Sequence, residues 1–162
     1  MMTILSDEDI ADSIKNGSLK ITDFKEDNLT PNGYDLTIEE VFVSGIERTV
    51  NEGRAEVPPQ TWFAIGTKER VEMSEELAAQ LWIRTSWARK GVMASFGKID
   101  AGFEGNLTLS AFNSSKEVLN IPIGETFAQM VFEKLERPAK RKYNERSGNF
   151  QNQEGVTLDK SR

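Results

Sequence analysis

The sequence predicts a mainly β domain, a sandwich or barrel with few helices. Three observations carry that reading. Apolar residues recur in short alternating runs of strand length. The runs are rich in β-branched and aromatic residues and are parted by turn residues such as Asn32-Gly33, Ser44-Gly45, Pro58-Pro59, Gly66 and Pro122. The chain has 162 residues, 38% of them apolar, with 12 glycines, enough for one core and about one domain.

The elements follow in order. Ser6-Asp7-Glu8-Asp9 opens a short helix, with Ser6 as cap and acids at the positive end. Ile10 and Ile14 share a face, and Gly17 is the stop. Strands are expected from Leu36 through Val43, at Thr61–Ile65, Arg70–Met73, Leu81–Ile83, Asn106–Phe112, Val118–Ile121 and Thr126–Phe132. A second short helix, capped by Ser74, is expected over Ser74–Ala79. The barrel domain is assigned to residues 1–137. Residues 138–162 form a C-terminal tail that is polar and nearly free of aliphatic residues. Taken alone it reads as disordered, but Tyr143 and Phe150 are rings that a solvating tail rarely needs, so ordering over a ligand is the live alternative.

Composition narrows the chemistry. With no cysteine and no histidine there is no disulfide, no thiolate or imidazole metal site, and no Ser-His-Asp or Cys-His catalysis. Carboxylates, hydroxyls, lysine, arginine and an oxygen-bound cation such as Mg2+ remain. No apolar run approaches the ~20 residues of a membrane span. The acidic N-terminus does not resemble a secretory signal, so the cytoplasm is expected. A net charge of −6 argues against a sequence-independent nucleic-acid coat. Yet residues 77–99 carry Arg84, Arg89, Lys90 and Lys98 without one acid, and residues 133–146 hold six bases against three acids. Two short positive segments in an acidic chain suit a small anionic ligand. The bland alternative is pairing with surface acids.

Several segments carry candidate chemistry. Gly91 to Gly97-Lys98 has five intervening residues where a P-loop needs four, and Ile99 replaces its hydroxyl residue, so a P-loop is excluded. Arg84-Thr85-Ser86-Trp87-Ala88-Arg89-Lys90 packs cations and hydroxyls behind a strand, which suits a triphosphate or, equally, an ordinary polar turn. Asp100 sits in the glycine-rich hairpin Gly97–Gly105 with Phe103 three residues later, able to hold a water or simply to form the turn.

Together and in this order, PNGYDL, RTSWARKG, GKIDAGFEG, IGETFAQMVF and YNERSGNFQNQEGV resemble the dCTP deaminase/dUTPase superfamily over nearly the whole chain. They look most like the archaeal-type dUTPases of the dCTP deaminase family. The resemblance implies a distorted, dUTPase-like β-barrel with one or two short helices besides the first, assembled as a homotrimer with sites between subunits. It implies that Arg84, Thr85, Ser86 and Arg89 grip the triphosphate and that Asp100 orients and deprotonates the attacking water. Phe103 would pack near the deoxyribose, and Gln129 would lie near the phosphates. Thr108, Ser110, Tyr143, Asn149, Phe150 and Gln153 complete the expected substrate contacts, Asn149 standing where the family usually has lysine. Mg2+ would ride mainly on the phosphates, with Asp35 in its outer shell through water.

One departure decides between activities. Deaminases of this family carry a glutamate where this chain has Ser110. Deamination needs a group that takes a proton from water and returns it to the ring. Serine does not do this near pH 7 without a base, and no histidine serves. Hydrolysis at phosphorus needs one carboxylate, an aligned water and cations. The expected activity is therefore dUTP diphosphatase: dUTP and water give dUMP and pyrophosphate. The alternatives are a dCTP deaminase or bifunctional enzyme, with Glu104 or Glu117 replacing the lost acid, and a catalytically silent nucleotide-binding regulatory trimer.

Overall fold

A computed structural model describes residues 3–159. Strand β1 (Thr3–Ile4) leads into helix α1 (Asp7–Lys15), which forms as the sequence dictates. The Ser6 hydroxyl accepts the Asp9 N–H at 3.2 Å while the Asp9 carboxylate accepts the Ser6 N–H at 3.0 Å, closing a reciprocal cap. Ile10 faces the core, and Gly17 ends the helix at a φ of 80°.

The strands that follow are β2 (Leu19–Ile21), β3 (Leu29–Thr30), β4 (Gly33–Val43), β5 (Arg48–Val50), β6 (Arg54–Val57), β7 (Thr61–Met73) and β8 (Leu77–Ile83). After helix α2 (Thr85–Ala88) come β9 (Val92–Ala94), β10 (Lys98–Ile99), β11 (Glu104–Asn113), β12 (Leu119–Pro122) and β13 (Thr126–Lys134). A last turn of helix, α3, spans Tyr143–Arg146. The main sheet runs β10-β8-β13-β4-β7-β11-β9 and curls into a distorted, half-open barrel. β6 and β12 form a separate pair. The predicted mainly β class holds.

β4 turns the corner of the barrel. Its first half pairs with β13 (Met130 opposite Tyr34, Thr126 opposite Thr37), and its second half pairs with β7 (Ile38 opposite Thr67). At the split the Thr37 N–H has no strand partner. The buried Glu69 carboxylate takes its place, accepting that N–H at 2.9 Å. Inside the curl, Phe127 is a hub. It touches Phe63 (6.1 Å between ring centres), Trp87 (5.7 Å) and Phe96 (6.3 Å).

Three expectations need correction. Residues 74–79 are not helical. Ser74 caps only a turn, accepting the Glu76 N–H at 3.3 Å, and Leu77 onward is strand β8. Local capping chemistry was real, but pairing with β13 over seven residues outweighs one turn of helix. Gly66 does not break a strand either, because β7 runs unbroken for 13 residues. The glycine leaves space for the tail, since a Cβ there would meet Val156 N at 3.1 Å and Gly155 C at 3.2 Å. Arg84–Arg89, read as a loop, contains the single turn α2.

The C-terminal segment lies along β11 and back over β4 and β7. Asn152 N–H donates to Glu104 O at 2.7 Å, Asn106 N–H to Gln153 O at 3.0 Å, and Thr157 N–H to Thr108 Oγ1 at 2.9 Å. Val156 N–H is held by the Glu40 carboxylate. Among the described residues, no helix is long and apolar enough to cross a membrane.

Candidate active site

Asp100 owes its position to a tight turn. Phe103 N–H returns to Asp100 O at 3.1 Å, and Gly102 supplies the positive φ, 82°, which that turn requires at its third residue. The turn carries the chain from β10 into β11 and leaves the Asp100 side chain 40% exposed. Lys98, two residues earlier and on the same side of the strand, donates to Asp100 Oδ1. No protein donor among the described residues reaches Oδ2.

That carboxylate lines a cleft of about 350 Å³. The cleft gathers seven of the expected site residues: Asp100, Phe103, Thr108, Ser110, Tyr143, Phe150 and Gln153. Phe103 and Tyr143 meet edge to face at 5.6 Å, and the Tyr143 hydroxyl accepts the Phe150 N–H at 3.0 Å. Gln153 Nε2 donates to Asn106 O at 2.6 Å, fixing the tail as one wall. Further lining comes from Trp62, Ser95, Phe96, Thr157 and Leu158, which sequence reasoning passed over, and from Lys98, read there only as part of a positive segment. Lys98 was legible, since i and i+2 share a face in a strand. The others were not, because Trp62 lies on β7, Ser95 and Phe96 between β9 and β10, and Thr157 and Leu158 in the tail, and only the tertiary fold brings them to one cleft. Among the described lining residues Asp100 is the only carboxylate.

The second group of expected residues gathers elsewhere. Arg84 follows β8, and its Nε lies 3.1 Å from Asp35 Oδ2. Gln129 Nε2 donates to Asp35 Oδ1 at 3.0 Å, and Arg84 Nη1 donates to Thr126 Oγ1. Trp87 is buried and its indole N–H donates to Thr126 O at 2.9 Å, so α2 turns Thr85, Ser86 and Arg89 outward to solvent. Ile99 pairs with Ala79, and Arg84 lies five residues farther along β8. Asp100 continues that register opposite Ala78, six residues from Arg84, so at ~3.3 Å per residue the Arg84 group stands roughly 20 Å from Asp100 within one chain. Asn149 lies in the tail between Tyr143 and Phe150 and does not line the cleft.

No group of three acids among the described residues could hold a metal ion. Both Asp35 oxygens already accept protein donors, so Asp35 offers a hydrated cation lone pairs and not a vacant carboxylate.

A family model described as dCTP deaminase-like matches residues 42–135, more than half of the chain. The chain belongs to the dCTP deaminase-like family. A Pyrococcus horikoshii protein named dCTP deaminase is 39% identical over 142 residues, covering 86% of this chain and 89% of that protein. A Sulfolobus islandicus rod-shaped virus 1 protein, named probable deoxyuridine 5'-triphosphate nucleotidohydrolase, is 36% identical over 97% of this chain and 98% of its own length. Among solved structures, the Agrobacterium tumefaciens 2'-deoxycytidine 5'-triphosphate deaminase superposes with a TM-score of 0.72 at 17% identity over 83% of this chain. The chain spans about half the length of that deaminase, 48%. The EIAV dUTPase superposes with a TM-score of 0.52 at 17% identity, covering 91% of this chain and 99% of its own. These two likenesses speak for the fold.

Proposed function

We propose that this member of the dCTP deaminase-like family is a dUTP diphosphatase, converting dUTP and water into dUMP and pyrophosphate. One observation carries the reading: among the described lining residues Asp100 is the single carboxylate, with no protein donor on one of its oxygens, while Ser110 and Thr108 of β11 line the same cleft. Neither acid that could replace the missing glutamate faces the cleft. Glu104 is paired with Arg70 at 2.8 Å, and Glu117 lies in the turn before β12.

In the proposed step Asp100 Oδ2 accepts a proton from water as the water oxygen bonds to the α-phosphorus. The bond from that phosphorus to the bridging oxygen breaks, and pyrophosphate leaves with the electron pair. Lys98 holds the other Asp100 oxygen and so keeps the carboxylate oriented. Phe103 and Tyr143 wall the sugar side, and the tail from Phe150 to Leu158 closes the rim against unaligned water. Mg2+ carried on the phosphates would supply charge neutralisation there, and Asp35 is the residue that would help hold it, through water. In a homotrimer, Arg84, Thr85, Ser86 and Arg89 of one protomer would grip the phosphates at a neighbour's Asp100, joining the groups that a single chain keeps apart.

A second reading, dCTP deaminase or a bifunctional enzyme, is favoured by the names of relatives from Pyrococcus horikoshii and Thermococcus gammatolerans, the latter 40% identical over 144 residues. Separate incubations with dCTP and dUTP in Mg2+, resolved by chromatography and a pyrophosphate assay, distinguish the two. The proposal expects dUMP and pyrophosphate from dUTP, and no dUTP or dUMP from dCTP. Release of ammonia from dCTP would transfer the assignment to the deaminase. Tight dUTP binding without pyrophosphate would leave a regulatory trimer.

A further inference from the structure

Asp100 borders two cavities. A second cleft of about 260 Å³, which Ser110 does not line, adjoins it, and Lys98, Asp100 and Tyr143 are walls of both. The second cleft is basic. Arg141, Lys142 and Arg146 line it beside Lys98 and the Ser147 hydroxyl. These cations belong to the positive segment 133–146 of an otherwise acidic chain, which the proposed reaction leaves unused. Two of the four are committed: Lys98 to Asp100, and Lys142 to Glu75 at 3.1 Å. Arg141 and Arg146 have no acid partner among the described residues.

The segment that carries them is docked rather than loose. Ala139 N–H donates to Glu75 O at 2.8 Å and Tyr143 N–H to Ala101 O at 2.9 Å, one bond on each side of Arg141. Gly102 permits this approach, because a Cβ there would lie 2.5 Å from Lys142 Cβ. Two unpaired planar forks therefore face a cavity across a fixed backbone, an arrangement suited to phosphate oxygens.

We propose that this basic cleft is a phosphoanhydride site that takes the pyrophosphate end of the nucleotide in the same protomer whose Asp100 acts on it. The inference rests on the proposed role of Asp100 and extends it. The order of surfaces matches the order of the ligand: an apolar and hydroxyl-lined cleft for base and sugar, one carboxylate at the α-phosphorus, then arginines for the β- and γ-phosphates. The Arg84 group, roughly 20 Å away in the same chain at ~3.3 Å per residue, would add a grip from a neighbour and not replace this one.

The test titrates the full chain with inorganic pyrophosphate by calorimetry and, in parallel, measures KM for dUTP and inhibition by deoxyuridine. The double variant Arg141→Gln, Arg146→Gln should weaken pyrophosphate binding about tenfold or more and raise KM comparably, since each lost charged hydrogen bond is worth about a factor of ten. Deoxyuridine, which lacks phosphates, should inhibit as before. The control pair Arg48→Gln, Arg54→Gln removes the same charge from exposed strands β5 and β6 and should change each quantity less than about twofold. Arg141→Lys with Arg146→Lys should fall between, keeping charge but losing the fork. Failure of the wild-type chain to bind pyrophosphate, an unchanged double variant, or an equal loss in the control pair overturns the inference. If dUTP is not hydrolysed, the proposed activity fails, while the pyrophosphate titration still decides whether the cleft binds the anion.

Discussion

Arg84 Nε and Asp35 Oδ2 lie 3.1 Å apart, although 48 residues separate them and β13 runs between their strands. The arginine expected to hold phosphate and the acid expected to serve Mg2+ are thus each other's partners. With Nη1 donating to Thr126 Oγ1 as well, the guanidinium is held at two of its three nitrogens. Asp35→Asn removes the charge that orients the fork but keeps an oxygen for Gln129. KM for dUTP should rise several-fold with a smaller change in kcat, read from steady-state pyrophosphate release. Equal loss in both would place Asp35 in the chemical step.

Asp100→Asn keeps the side-chain volume and removes the base. Turnover should fall by about 10²–10⁴, the usual contribution of a positioned general base. Binding of a non-hydrolysable dUTP analogue, followed by calorimetry, should stay within a few-fold. A variant that keeps its turnover removes Asp100 from the mechanism.

If sites form between protomers, Asp100→Asn and Arg84→Gln should each be inactive alone and regain activity when co-expressed. With random mixing, about a quarter of the sites pair an intact Asp100 with a neighbour's intact Arg84. Recovery of activity towards that fraction, measured on the purified mixed assembly, supports a shared site. No recovery would mean that both groups act within one chain.

Gly66→Ala tests how the tail is held. The added Cβ would sit 2.9 Å from Glu40 Cγ and 3.1 Å from Val156 N. The barrel should keep its denaturation midpoint to within about 1 kcal/mol, because alanine suits a strand interior no worse than glycine. Residues 150–158 should become protease-sensitive and lose amide protection at Val156 and Thr157. A tail as protected as before would mean that the crossing can shift without cost.

Glu69 gives a pH dependence. Burial pushes its carboxyl above the ordinary value near 4.5, and the hydrogen bond from Thr37, with the nearby Lys25 charge, opposes this only in part. The folded state therefore binds a proton that the unfolded chain has released. Stability is fully present below pH 4.5 on this account and falls as pH rises from there through the higher folded value. Glu69→Gln still accepts the Thr37 N–H and cannot ionise. It should match or exceed the parent stability at pH 8 and lose this fall, at about 1.4 kcal/mol per unit of elevation. Chemical denaturation across pH 4.5–8 measures it, and parallel curves for parent and variant would remove Glu69 as the cause.

Much of the site's inventory was legible before the fold. Asp100, Phe103, Tyr143 and Gln153 were named from their motifs, and all line one cleft. Their grouping was not legible. Asp100 and Arg84 were expected at one nucleotide, yet within one chain the register of β10 on β8 sends them to opposite ends of a strand. The tail read as disordered because its side chains are polar. Its order comes from backbone bonds to β11 and from Gly66, Gly102 and Gly105 beneath it, which no local pattern reveals.

By itself the sequence determined the β class, the capped first helix, the lack of imidazole and thiolate side chains, and a serine at position 110, where the resemblance leads one to expect a glutamate in a deaminase. Those are properties of residue type and of neighbours a few positions apart, where alternation, capping and ionisable groups act locally. Only the tertiary structure decided that residues 77–83 are strand, that Glu69 closes a split in the sheet, and that Asp100 stands between a hydroxyl-lined cleft and an arginine-lined one. Strand pairing sets these outcomes. It joins residues far apart in the chain, and its free energy appears only once both partners and the core between them are in place.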